Sequence, residues 1–470
     1  MSGAGGYDYD LAVIGSGPAG QAAAVEAARN GLAVALVEQQ RSVGGVCLHT
    51  GTVPSKALRE AVLGLTNYHA SCLYRGRRGA CEPGAISMDE LRVHIEQVVE
   101  KELSAITTQV RSHGISLLHG SARFTGPHEV ALSDCETEAR LSARTFVVAV
   151  GTRASRPPAI PFDDRTIIDT DQLFAIPELP RRLAIVGGGV IAIEYASIFA
   201  LLGIEVHLIA RTSTLLPFVE REIMDALEAH LAEQGVVIHT QAAASRYEAG
   251  AGGAVAVKLG GEAVEVDLVL AATGRDGLAP SLNLDSVGLS ATERGLLRVD
   301  GRFRTAAPQV LAVGDVIGFP SLASTARVQG RCAVRHLLGL PVDPADGQVL
   351  PFGIYTIPEM AFVGRTEREL AQAAVPHVAG VARYSEVARG AISGNEDGLL
   401  KLLFHRDDRR LLGAHLFGAS AAELIHLAQA VMVLGGGLDY FTTQVLNYPT
   451  LTECFRVAAF DAERRLRAGA

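Results

Sequence analysis

The chain has 470 residues, a net charge of −9, 48% hydrophobic and 20% charged residues, and six scattered cysteines. The length calls for about three domains, while the acidic balance excludes the electrostatic footprint of a nucleic-acid binder and leaves Arg75, Arg77 and Arg78 as a solvated loop cluster. No C-x-x-C or paired histidines point to a metal, the apolar stretch 183–209 is interrupted by glycines, Glu194 and Glu205 rather than built to span a membrane, and MSGAGGYDYD lacks a signal pattern, so a cytoplasmic chain is expected.

In chain order, residues 8–14 (DYDLAVI) form an apolar run suited to a buried parallel strand, followed by Gly15-Ser16-Gly17-Pro18-Ala19-Gly20 and an alanine-rich helical stretch. Strand, G-x-G-x-x-G and helix in that order predict a dinucleotide site. Gly15 permits the tight turn, Gly17 lets a pyrophosphate approach, Gly20 lets helix and strand pack, and the helix N-terminus faces the phosphates. The next strand ends in Glu38, 18 residues past Gly20 and followed by Gln39, where a carboxylate accepts hydrogen bonds from a ribose diol.

Residues 44–60, GGVCLHTGTVPSKALRE, then open a helix whose first turn suits Pro54. The stretch holds one cysteine, Cys47, and five places further on a threonine, Thr52. A lone cysteine is more often a small packed hydrophobe than a nucleophile. Residues 146–152 (FVVAVGT, with Gly151) and 268–275 (LVLAATGR, with Gly274) read as strand-to-turn exits at the two ends of an inserted unit, with RPPAIP at 156–161 as linker.

The inserted unit repeats the motif, with Gly187, Gly189 and Ala192 in the three positions after an apolar strand and Glu194 on the following helix. Two such units imply two dinucleotides. The strand that would carry a ribose-binding acid instead ends in Ala210, followed by Arg211, Thr212 and Ser213. A cation and hydroxyls attract a 2′-phosphate that a carboxylate would repel, so NADP(H) is favoured without exclusion of NAD(H). Further on, VLAVGD at 310–315 places Gly314 and Asp315 after another strand and reads as the return to the first unit.

With these motifs in this order, the chain resembles the pyridine nucleotide disulfide oxidoreductase family over essentially its whole length. The resemblance rests on GSGPAG with Glu38, the G-x-x-C-x-x-x-x-[C]-x-P-S-K frame at 44–56, GGGVIAIE at 187–194, AVGD at 312–315, and the C-terminal segments YTIPEMAFVG and GAHLFGASAAELIH. It implies an α/β chain with two Rossmann-like dinucleotide-binding domains and a C-terminal α+β dimerisation domain. The FAD domain would comprise 1–157 and 279–345, the NAD(P) domain 158–278 would be inserted in it, and 346–470 would form the interface that completes a partner's active site. FAD would be held by Gly15, Gly17, Gly20, Glu38, Gln39, Gly45, Gly151, Gly314 and Asp315, and the nicotinamide nucleotide by Gly187, Gly189, Ala192, Arg211 and Gly274. Lys56 and Glu194 would pair beside the flavin, the ammonium stabilising negative charge on the reduced ring.

Two positions depart from the pattern. The family's flavin-proximal cysteine is Thr52, and a hydroxyl cannot cycle between thiolate and disulfide. The acid–base histidine before the C-terminal proline is Tyr448, ahead of Pro449, with Glu453 retained. A phenol of pKa roughly 10 shuttles protons poorly near neutrality. Lys56, Glu194, Tyr448 and Glu453 are therefore the catalytic candidates, with Tyr448 expected to pack or stack in the partner's site. Cys47 with Thr52 and PSKAL, NYPT at 447–450 and VGDVIGFPSLAS resemble the members of the family that lack the disulfide, and the resemblance implies NAD(P)+ transhydrogenation of the Si-specific type: NADPH would give hydride to FAD, NADP+ would leave, and NAD+ would enter the same pocket to take it. Alternatives are a diaphorase, quinone reductase or oxidase sharing the first half-reaction, thiol reduction through Cys47, and a non-catalytic flavoprotein redox sensor. The partners expected are small nicotinamide nucleotides and a second copy of the chain, not nucleic acid or membrane, and no metal.

Overall fold

The computed structural model describes residues 6–66, 86–133, 138–250, 253–342 and 349–468. The basic cluster of Arg75, Arg77 and Arg78 and the boundary expected at 345–346 lie outside the described residues.

The first sheet grows from β1 (Tyr9–Ile14), β2 (Val34–Glu38), β3 (Ser116–His119), β4 (Ser121–Gly126), β5 (Glu129–Ser133) and β6 (Glu138–Val148), in the order β3-β2-β1-β6-β5-β4. β6 is long enough to serve two arrangements: residues 138–142 pair antiparallel with β5, and residues from Ala143 onward pair parallel with β1. Apolar residues fill both faces of β1, as a parallel strand covered on both sides requires. Leu11 and Val13 join Ala23, Ala27 and Leu36 on one face, whereas Ala12 and Ile14 join Phe124 and Phe146 on the other. Helix α1 (Pro18–Arg29) lies directly against the helix Ala323–Leu337, so close that a Cβ on Gly330 would stand 2.2 Å from the Ala19 carbonyl oxygen.

The chain leaves this sheet through β7 (Thr152–Ala154). It then builds a second sheet from β8 (Ile167–Asp169), β9 (Arg182–Val186), β10 (Glu205–Ile209) and β11 (Val237–His239). A meander of β12 (Ala244–Ala249), β13 (Val255–Leu259) and β14 (Glu262–Val266) follows, and β15 (Leu268–Ala271) completes the second sheet in the order β11-β10-β9-β15-β8, all parallel. Return is through β16 (Arg275–Gly277), which pairs antiparallel with β7, and β17 (Val310–Ala312) rejoins β6 in parallel. The second Rossmann-like unit is thus inserted in the first, as the resemblance implied.

A five-stranded antiparallel sheet ends the fold: β18 (Phe352–Ile354), β19 (Met360–Gly364), β20 (His377–Arg383), β21 (Leu399–His405) and β22 (Leu411–Phe417), ordered β18-β19-β22-β21-β20. The helices Ala421–Val433 and Glu453–Arg467 cover it, burying Phe404, Leu416, Phe441 and Phe455. An ionic knot ties this sheet to the second unit. Lys401 Nζ on β21 reaches Glu220 Oε1 at 3.0 Å and Glu222 Oε2 at 2.7 Å, and also pairs with Glu367. Burial alone would lower the lysine pKa, but the three carboxylates hold it above its ordinary value. Beside the knot, fully buried His415 faces the Arg365 carbonyl oxygen through Nε2 at 2.9 Å. Among the described residues, no helix is long and apolar enough to cross a membrane.

Candidate functional site

A cleft of about 2230 Å³ runs between the three units. Pockets for one small ligand occupy roughly 300–1,000 Å³, so this one has room for more than one. At its first end the turn after β1 is set by Gly15, whose φ of +104° and approach to the Ala149 carbonyl oxygen leave no space for a side chain. Gly17 caps α1 at the cleft wall, while Gly20 is buried behind it, where a Cβ would collide with the Gly15 carbonyl oxygen. The third glycine therefore works through packing rather than ligand contact. Glu38 is buried at the end of β2; its Oε2 accepts from Ser16 N at 3.1 Å and Ser16 Oγ at 2.5 Å, and its Oε1 from Gln40 N at 2.9 Å. The expected ribose acid is held in place by the turn itself, with Gln39 exposed at the cleft rim.

The second unit repeats this design. Gly187 has φ +145° and would place a Cβ 2.2 Å from the Ala272 carbonyl oxygen. Gly189 caps the helix Val190–Leu201 at the cleft, and Ala192 is buried behind it. Arg211 and Thr212 line the cleft beyond β10 and are exposed; Arg211 makes no ion pair among the described residues. Gly151 and Gly274 line the cleft at the paired exits, where Arg275 knits them: Nε donates to Thr152 Oγ1 at 2.9 Å and Nη1 to Asp171 Oδ1 at 2.9 Å. Gly314 and Asp315 close the floor after β17. Burial raises the Asp315 carboxyl pKa, with Arg275 opposing.

In the wall of the cleft, Lys56 on helix α3 (Thr52–Leu65) pairs with Glu194 on the helix Val190–Leu201, Nζ to Oε2 at 2.8 Å. The expected ion pair is thus present, with Lys56 partly open to the cleft and Glu194 largely covered. Nothing in the sequence reading singled out Tyr355, yet its backbone N–H donates to Glu194 Oε1 at 2.8 Å, and the Lys56 ammonium sits 4.8 Å from its ring centroid. Ser16, Asp171 and Arg275 were also missed; the one signal available for Arg275 was its place at the end of LVLAATGR.

Helix α2 (Gly45–His49) presents Cys47, and Gly45 and Cys47 both line the cleft. Thr52, at the start of α3, is the residue at the place of a second thiol and favours the thiolate of Cys47, as does the nearby Arg327, but burial outweighs both and raises the thiol pKa.

The C-terminal candidates are not brought to this cleft within one chain. Among the described residues, Tyr448, 74% exposed, makes no hydrogen bond, and Glu453 buries an Oε2 that has no hydrogen-bond partner. Neither lines the cleft.

The paired turns have the form that fits two dinucleotides: glycine backbones leave room for phosphates, a buried carboxylate, Glu38, ends β2 in one unit, and an exposed arginine, Arg211, follows β10 in the other. Residues 9–330 match the family model described as pyridine nucleotide-disulphide oxidoreductase, and residues 350–459 match the dimerisation domain of the same family. The chain is 40% identical over 466 residues to a soluble pyridine nucleotide transhydrogenase of Mycobacterium tuberculosis, covering 98% of each chain. It is also 40% identical over 465 residues to one of Vibrio vulnificus, covering 97% of this chain and 98% of the relative. Among solved structures, LpdA from Mycobacterium tuberculosis superposes with TM-score 0.87 at 26% identity, over 97% of this chain and 99% of that one. The HOCl-induced flavoprotein disulfide reductase RclA from Escherichia coli gives 0.86 at 26% identity, over 96% and 99%.

Proposed function

This chain belongs to the pyridine nucleotide-disulphide oxidoreductase family, and we propose that within it the chain moves hydride from NADPH to NAD+ without a redox-active disulfide. FAD, when bound, supplies the two-electron carrier between the nucleotides. The observation that carries this reading is the contrast across the cleft: Lys56 and Glu194 pair at 2.8 Å, whereas Cys47 lines the cleft with Thr52, a hydroxyl, five residues on where a second thiol would be needed.

In this reading Lys56 holds positive charge where negative charge develops, and Glu194 and Tyr355 hold Lys56. The Gly187–Gly189 turn admits one nicotinamide nucleotide at a time. Arg211 meets the 2′-phosphate of NADP(H) and stands clear of NAD(H), which lets one pocket serve both in turn. A second copy of the chain, brought by the dimerisation domain, places Tyr448 and Glu453 beside the partner cleft. Transfer follows the Si-specific type, which NADPH deuterated stereospecifically at nicotinamide C4 reads directly.

The test is anaerobic: reduce the FAD-bound protein with NADPH, remove excess nucleotide, add NAD+, and follow the flavin band together with NADH. Reoxidation with matching NADH is expected. Flavin that stays reduced until a quinone or oxygen is added would overturn the proposal in favour of a diaphorase, and flavin that NADPH never reduces would favour a redox sensor.

A further inference from the structure

One short segment of the third unit grips both helices that carry the central ion pair. Tyr355, just past β18, donates its N–H to Glu194 Oε1 at 2.8 Å, and two residues later Ile357 N donates to Ser197 Oγ at 3.1 Å. Glu194 and Ser197 stand three apart on one helix face. On the flavin-side helix the same spacing recurs: the Lys56 ammonium lies 4.8 Å from the Tyr355 ring centroid, and Arg59 Nε donates to the Thr356 carbonyl oxygen at 3.2 Å. Arg59 is buried and anchored again by Glu359 Oε1 at 3.2 Å. The strap therefore holds the lysine helix and the glutamate helix at matching heights.

We infer that Tyr355 is a positioning residue for the reaction, its ring face fixing the Lys56 ammonium and its backbone fixing the Glu194 carboxylate. The inference deepens the proposed function and rests on its assignment of Lys56 to the flavin. A cation over an aromatic face is attracted by the ring quadrupole, most strongly where water is partly excluded. Four rotatable bonds separate the ammonium from the α3 backbone, and besides the ion pair it makes only a long bond to neighbouring Ser55 Oγ at 3.3 Å among the described residues, which leaves the charge room to swing. The Tyr355 ring adds a contact from a different unit and removes that freedom. The Tyr355 hydroxyl has no hydrogen-bond partner among the described residues, so the ring and not the hydroxyl carries the effect.

The experiment compares Tyr355→Leu, Tyr355→Met and Tyr355→Phe in FAD-bound protein. The flavin midpoint potential is titrated with a chemical reductant and no nicotinamide nucleotide, a readout independent of the transhydrogenase reading. Stopped-flow reduction by NADPH then separates nucleotide affinity from limiting rate. Losing the ring is expected to make the potential more negative and to lower the limiting rate about three- to tenfold, the span of a partly exposed cation–π contact, with NADPH affinity held. Tyr355→Phe is expected to restore both. In a Lys56→Met background, Tyr355→Leu should shift the potential no further.

An unchanged potential and rate in both apolar variants would overturn the inference. Equal losses in the phenylalanine variant would move the role to the hydroxyl. A weakened NADPH affinity at unchanged rate would make Tyr355 a nucleotide contact instead. Normal potential shifts in a protein that fails to reoxidise with NAD+ would leave the positioning role standing and remove only the proposed function.

Discussion

Lys56 Nζ stands 2.8 Å from Glu194 Oε2 although 138 residues separate them in the chain. The pair joins the first unit to the inserted one in the wall of the shared cleft. Lys56→Met removes the cation and is expected to slow anaerobic flavin reduction by NADPH about 10²–10³-fold, the usual loss for a group aimed at developing charge. Glu194→Gln should cost less, since the lysine keeps its ring contact. Stopped-flow absorbance checks both; a full wild-type rate for Lys56→Met would remove the lysine from the chemistry.

The lone thiol invites an opposite manipulation. Burial holds the Cys47 thiol above its ordinary pKa, so alkylation by iodoacetamide at neutral pH should be slower than for a free cysteine and should quicken only in alkaline solution. Cys47→Ala should leave hydride exchange intact. Thr52→Cys should create a second electron sink, raising NADPH consumption in an anaerobic titration from one equivalent per flavin toward two. A Thr52→Cys protein that still takes one equivalent would mean the two side chains cannot bond.

Arg211 is exposed at the cleft beyond β10 and makes no ion pair among the described residues. A charge-assisted bond to a 2′-phosphate contributes roughly 1.5–3 kcal/mol, or about 10–100-fold in affinity. Arg211→Ala is therefore expected to raise the NADPH Kd by that factor and leave NAD+ nearly unaffected, and Arg211→Glu should repel NADPH further. Calorimetry with both nucleotides measures the split, and an equal loss for both would place Arg211 elsewhere.

Tyr448 lies exposed beside Pro449, away from its own cleft. If the second copy uses its ring, Tyr448→Phe should keep turnover while Tyr448→Ala loses it. A large loss in the phenylalanine variant, read in the same steady-state assay, would assign the phenol hydroxyl a chemical role.

The Lys401 knot sets a stability prediction. Glu220 is buried, so Lys401→Met leaves an uncompensated carboxylate and is expected to cost about 3–5 kcal/mol, read as a lower denaturation midpoint. His415 adds a pH term: burial lowers its pKa, opposed by Glu220, the Arg365 carbonyl and Glu369, with Lys401 lowering it further. The unfolded state then binds the extra proton, so stability falls as pH drops through the ordinary histidine value of about 6.5. His415→Leu should flatten that acid limb; an unchanged slope would assign it to other groups.

Local signals made the nucleotide units legible in the sequence. A strand, a glycine turn and a helix lie within some twenty consecutive residues, and Gly15, Gly187 and their neighbours announce both sites through backbone geometry alone. Lys56 and Glu194 became legible through resemblance, because each sits in its own short motif. Tyr355 did not, since its role depends on two helices 138 residues apart meeting a strap from a third unit. Lys401 was silent for the same reason: a lysine within an apolar strand gives no hint of a carboxylate 181 positions earlier.

The two passages between the nucleotide sheets, β7 and β16, run side by side as one antiparallel pair, Thr152 opposite Gly277 and Ala154 opposite Arg275. The intervening stretch therefore begins and ends at the same doorway. A segment with adjoining ends can be cut out and another spliced in while the parent sheet keeps its strand order, because β6 and β17 already lie next to each other. Grafting a relative's segment between those two strands would transplant coenzyme preference as a cassette, leaving the flavin-side architecture as its host.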